Sequence, residues 1–97
     1  MANRVVDTLA ATGTGTAITV QTGWLSLTGT WTGTVNLQTG PNPDGSWSNM
    51  TDASGNVIAL TVNTNCPIDN AIPMSMRVNF TRTTGTLVAA LTSQIPA

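Results

Sequence analysis

Histidine, lysine, glutamate and tyrosine are absent from this 97-residue sequence, and cysteine occurs once, as Cys66. Each absence removes a chemistry. Without an imidazole, Cys66 has no base of the kind that activates a thiol nucleophile. Without glutamate, the four aspartates, Asp7, Asp44, Asp52 and Asp69, have no such partner for acid–base work. Without lysine there is no Schiff-base chemistry, and the Thr-Gly run at 12–16 lacks the following helix and lysine of a phosphate-cradling loop. A single cysteine excludes an internal disulfide framework, so Cys66 is expected to be a small apolar filler near a strand end. The three cations, Arg4, Arg77 and Arg82, are too few for a nucleic-acid footprint. The expectation is a chain that is not an enzyme, holds no cofactor or metal and binds no nucleic acid.

Charge is scarce altogether. Only 7% of residues are charged, against about 25% in an ordinary globular domain. The surface must therefore be built from neutral polar groups, chiefly Thr and Asn, and it has little electrostatic repulsion against self-association. Disorder is not implied, because the hydrophobic fraction is 40% and disordered chains combine low hydrophobicity with high net charge. The length suits one domain that buries roughly 60–65% of its unfolded surface. There is no apolar run of about 18 residues to span a membrane. The N-terminal MANRVVDTLA has no basic segment followed by an apolar core, so no secretory signal is expected and the chain should be made in a cytoplasm.

What the sequence does contain is alternation. In residues 31–38, Trp31, Gly33, Val35 and Leu37 take one set of alternate positions, and Thr32, Thr34, Asn36 and Gln38 take the other. A period of two places these sets on opposite faces of a strand. Leu25 and Leu27 share that phase across Gly29, which predicts one long strand bent at the glycine. Residues 39–46, rich in Gly and Pro, form a loop, and Trp47 reopens a short strand. Residues 57–64 read as a strand with Ile58, Leu60 and Val62 on one face. Residues 65–73, with two prolines, read as a connection pinned by Ile68 and Ile72. Met74, Met76, Val78 and Phe80 alternate with polar neighbours, and after the turn at 82–85 Leu87, Ala89 and Leu91 face inward with Val88 and Ala90 opposite them.

Seven or eight short strands punctuated by turns predict an all-β fold, a small antiparallel β-sandwich of immunoglobulin-like or jelly-roll-like type. The expected core is Trp31, Val35, Leu37, Trp47, Ile58, Leu60, Val62, Met76, Val78, Phe80, Leu87 and Leu91. The expected division is an N-terminal arm or edge strand at 1–14 and the sandwich domain at 15–97. Asp44, Asp52 and Asp69 sit among turn-forming residues and are expected to cap turns; neither Asp44 nor Asp52 heads the acidic run of a dedicated calcium loop. Arg77 and Arg82 are candidates for interface ion pairs. Trp24, on the polar side of its strand, is a candidate for stacking on a sugar ring. With Arg4, Val5, Val6 and Leu9 of the arm and Val88 and Ala90 of the last strand, these residues make up the expected interface.

The run GTWTGTVNLQTGPNPDGSWSNMTDASGN resembles a family of short β-sandwich virion proteins of tailed bacteriophages and prophages. Gly29, Trp31, Gly33-Thr34-Val35, Leu37-Gln38, Asp44-Gly45, Trp47 and Met50 match the first part of its pattern. Arg77-Val78, Thr84-Gly85-Thr86 and Leu91 match its closing hairpin. The loop from Thr39 to Gly45 departs from it, standing where the family carries a charged Arg-Ser-x-Asp-Gly-Gly loop. The resemblance implies a capsid decoration or cement protein, or an accessory head or tail component. Its partners would be the major capsid protein or other virion proteins, and its own copies, with a trimer preferred. Its location would be the virion, assembled in the host cytoplasm. The rival readings are a tail, neck or fibre accessory piece and a carbohydrate-binding module.

Overall fold

The computed structural model describes residues 4–52 and 54–94. Among these residues six strands share one hydrogen-bonded sheet: β1 (Arg4–Leu9), β2 (Gly13–Thr14), β3 (Ile18–Thr39), β4 (Ser48–Asn49), β5 (Ala59–Leu60) and β6 (Asn65–Gln94). The domain is all-β and the sheet antiparallel. Two strands dominate it, because the alternation in β3 and β6 runs through positions where turns are expected.

As β3 advances, its partners on β6 recede: Trp24 faces Thr92, Thr28 faces Val88, Thr32 faces Thr84 and Thr39 faces Met76. The pair is therefore antiparallel over residues 22–39 and 76–94. Between Thr32 and Gly33 the partner jumps from Thr84 to Arg82 and leaves Thr83 unopposed, a β-bulge. Gly33 and Gly85 flank that bulge with φ of 144° and 81°. A Cβ on Gly85 would run into the backbone of Thr30 and Trp31, and one on Gly33 into the Thr81 carbonyl. These glycines let both long strands bend together while their ladder continues.

The N-terminal stretch of β6 turns back along the opposite edge of β3, where Cys66 faces Leu25 and Ile68 faces Gly23. At the shift from that ladder to the one pairing Val20 with Met74, Asn70 is buried and its Nδ2 donates to the Val20 carbonyl at 2.9 Å. β1 lies beyond residues 87–92, and β2 beyond residues 79–80. Asp7 links these edges by accepting from the backbone N–H and the hydroxyl of Thr16.

The core draws on both halves of the bent strands. Leu25 and Leu27 lie in one cluster with Val35 and Leu37, and Leu87 and Leu91 with Met76, Val78 and Phe80. Trp31 packs edge-on against Phe80, ring centroids 5.6 Å apart at 89°, and Ile58 and Leu60 pack against the same cluster. The single phase from Leu25 to Leu37 is observed as one strand.

Among the described residues β6 supplies both neighbours of residues 22–26 of β3, pairing Thr22 with Asp69 and Gln94 and Ser26 with Asn65 and Ala90. Three expectations are corrected. Residues 65–73 are strand, not connection: Ile68 is buried as expected, but Ile72 is 64% exposed. Val62 is 68% exposed, because Asn63 next to it is drawn to Trp31 and Gly29 and takes the chain out of register after Leu60. Trp47 stands outside the core cluster, half-buried beneath Arg77. Of the expected arm, residues 1–3 lie outside the described residues, and residues 4–9 are an edge strand whose Val5 and Leu9 pack on the core.

Candidate functional site

Three sets of side chains are grouped by the fold, and the first is the outer face of β1, residues 86–94 and residues 22–28. Alternation sends Leu25, Leu27, Ala89 and Leu91 inward, so their neighbours point out. Register then aligns those neighbours in rows. Arg4, Thr92 and Trp24 form one row, Val6, Ala90 and Ser26 the next, and Thr8, Val88 and Thr28 the third. Pro67 extends the first row and Asn65 the second. With strands about 4.8 Å apart, four strands make a face about 14 Å wide. Trp24 is 37% exposed and Val6 57%. Arg4 carries the only formal charge among these residues, and its Nε donates to Thr92 Oγ1 at 2.9 Å, which lays the side chain along the sheet.

Five of the nine expected interface residues, Arg4, Val6, Trp24, Val88 and Ala90, thus fall on one face. The other four do not. Val5 and Leu9 face the core. Arg77 holds its guanidinium carbon 4.2 Å from the Trp47 ring centroid and donates from Nε to Gln38 Oε1 at 3.0 Å. Arg82 donates from Nε to the Gly85 carbonyl at 2.8 Å and braces the bend.

The second set is the loop carboxylates. Asp44 Oδ1 accepts from the backbone N–H of Ser46 at 3.0 Å and from its hydroxyl at 2.6 Å. Those bonds, the hydroxyl's first, hold the Asp44 carboxyl below the ordinary carboxylate value. Asp52 Oδ1 accepts from the N–H groups of Ser54 and Asn56. Both act as turn caps, as the sequence predicts. Asp69, expected in a turn, lies instead on β6 facing Thr22. Among the described residues no group of three or more His, Cys, Asp or Glu side chains could hold a metal ion.

The third is a groove of about 530 Å³ between residues 50–52 and 57–60 on one side and the edge formed by residues 66–70 on the other. Leu37, Met50, Ile58, Leu60 and Ile68 give it an apolar lining, with Asp52 and Asp69 also at its wall. Cys66 lines it too, and burial pushes its thiol above the ordinary value. A thiol with a raised pKa is a poor nucleophile. The sequence gives no warning of the groove, because one wall is the strand hidden behind Pro67 and Pro73. Asn63 and Asn70, which hold the bend and the ladder shift, are equally silent in a chain so rich in asparagine.

Comparison with models of known families, with curated proteins and with solved structures finds no match to this chain.

Proposed function

We propose that this chain is a structural protein of a tailed-bacteriophage virion, a capsid decoration or cement protein whose domain is a two-layered β-sandwich. The observation that carries the reading is the outer face on which Trp24, Val6, Val88 and Ala90 lie in neighbouring register rows with one tethered arginine. Away from Arg4, such a face can meet a neighbouring subunit without burying an unpaired charge, a step that is costly. The pattern from Gly29 to Met50 and from Arg77 to Leu91 supports the same assignment through its likeness to the phage family. The mechanism is passive: the face bridges adjacent capsomers, and each added contact stabilises the particle. The major capsid protein is the partner, and a trimer at the local three-folds the preferred state.

The test is to purify the virions of the phage that encodes the chain and count its copies against the major capsid protein by mass spectrometry. Stoichiometric copies that are lost from particles in a Val6→Arg variant support decoration. A few copies at one vertex transfer the chain to the tail, neck or fibre, and absence from particles overturns the reading.

One observation favours a second reading. Trp24 is exposed beside Pro67 and Thr92 on a neutral sheet face, an arrangement suited to stacking on a sugar ring. Glycan-array binding abolished by Trp24→Ala, without association with particles, would make the chain a carbohydrate-binding module.

A further inference from the structure

We infer that the groove beside residues 65–69 binds an extended, basic-ended peptide segment of another protein by strand addition. The inference concerns the backbone edge of residues 65–69, where Asn65 and Pro67 also extend the outer face, and does not depend on the virion reading.

Its basis is the orientation of the backbone. The N–H of Leu27 donates to the Thr64 carbonyl at 2.9 Å. In an antiparallel ladder hydrogen-bonded and non-hydrogen-bonded pairs alternate. Continuing from Leu27 and Thr64, Cys66 and Ile68 therefore direct their peptide groups toward Leu25 and Gly23, while Asn65, Pro67 and Asp69 direct theirs away from β3. Pro67 fits this assignment, since its missing N–H costs the ladder nothing at an outward position. Among the described residues no strand pairs with that outer side. A row of carbonyls at 65, 67 and 69, with N–H groups at 65 and 69, is left as a template for another strand.

The template stands beside the apolar groove, whose lining by Leu37, Ile58, Leu60 and Ile68 can receive alternate side chains of an added strand. A volume of about 530 Å³ falls within the ordinary range for ligand sites. Charge settles the occupant's chemistry. Two of the chain's four aspartates, Asp52 and Asp69, line the groove, and none of its three arginines does. The segment that fits is extended, apolar at alternate positions and arginine- or lysine-bearing at its ends. A second copy of this chain fits less well, with three arginines in all, of which Arg77 and Arg82 are engaged within their own fold.

The test uses the full chain and a labelled, capped peptide, Arg-Val-Thr-Val-Thr-Val-Arg, followed by fluorescence anisotropy. Cys66 gives an independent report, because a strand lying in the groove covers its thiol. The expected result is saturable binding that slows Cys66 alkylation and weakens about tenfold or more when the peptide's pairing edge is N-methylated. Asp69→Arg, an exposed change, should weaken binding about threefold, the scale of a rim ion pair. Absence of binding overturns the inference, as does binding that is indifferent to N-methylation or leaves Cys66 alkylation unchanged. Protection of Cys66 that grows with protein concentration alone overturns it in favour of a second copy.

Discussion

The indole N–H of Trp31 donates to Oδ1 of Asn63 at 2.7 Å, and Nδ2 of the same asparagine donates to the Gly29 carbonyl at 3.0 Å. Asn63 thereby fastens the chain leaving β5 to the bend of β3, next to the edge-on contact of Trp31 with Phe80. Asn63→Ala should lower stability by about 1–2 kcal/mol. Trp31→Phe keeps much of the packing but loses the donor. In urea unfolding of both single variants and the double, the two losses should overlap by about 0.5–1.5 kcal/mol. Strict additivity would mean that the bond contributes nothing.

Much of this arrangement is legible in the sequence, and the exceptions have physical causes. Alternation marks the buried faces of residues 25–37, 76–80 and 87–91, because a strand with one face on a core must repeat every second residue. The continuity of β3 through Gly29 is legible for the same reason. Pairing is not, since nothing local tells Trp24 that it lies between Thr92 and Pro67. Proline misleads at 67, where it sits with its nitrogen turned away from the ladder. Val62 misleads because its alternation is overridden by a side-chain bond one residue along. The outer face is half legible: Trp24, Val88 and Ala90 can be picked out singly, but only register makes them neighbours.

Gly85 carries a prediction about the bend. At φ 81°, with the backbone of Thr30 and Trp31 where a side chain would begin, alanine is penalised by conformation and by space together. Gly85→Ala should cost about 1–3 kcal/mol in denaturant midpoint experiments. Gly45→Ala is the comparison, with a similar φ of 89° and open space at the same position; it should cost less. Equal losses would remove close approach as a cause.

Cys66 should behave as a slow thiol. Burial is the cause of its raised pKa, above the ordinary 9.0, and the thiolate is the reactive form. Iodoacetamide modification of the folded chain should therefore rise with pH through a midpoint above that of the same thiol in urea. A folded midpoint at or below the unfolded one would contradict the burial of this side chain in the groove.

Asp44 gives the loop a signature in acid. Its carboxylate is held below the ordinary 3.8 by the Ser46 hydroxyl first and the Ser46 N–H second. A carboxyl whose folded pKa lies below its unfolded value binds its proton more readily when unfolded, so its contribution to stability is present above the unfolded value. That contribution fades as pH falls from near 3.8 through the lower folded value, and it is absent below both. Asp44 is fully exposed, so the effect is best read as a titration rather than as a melting point. In carboxyl NMR, Ser46→Ala should move the Asp44 midpoint back toward 3.8, and the backbone bond should keep part of the depression. An Asp44 midpoint unmoved by Ser46→Ala would show that the hydroxyl does not hold this turn, and the loop tip between Trp31 and Trp47 would need another fastening.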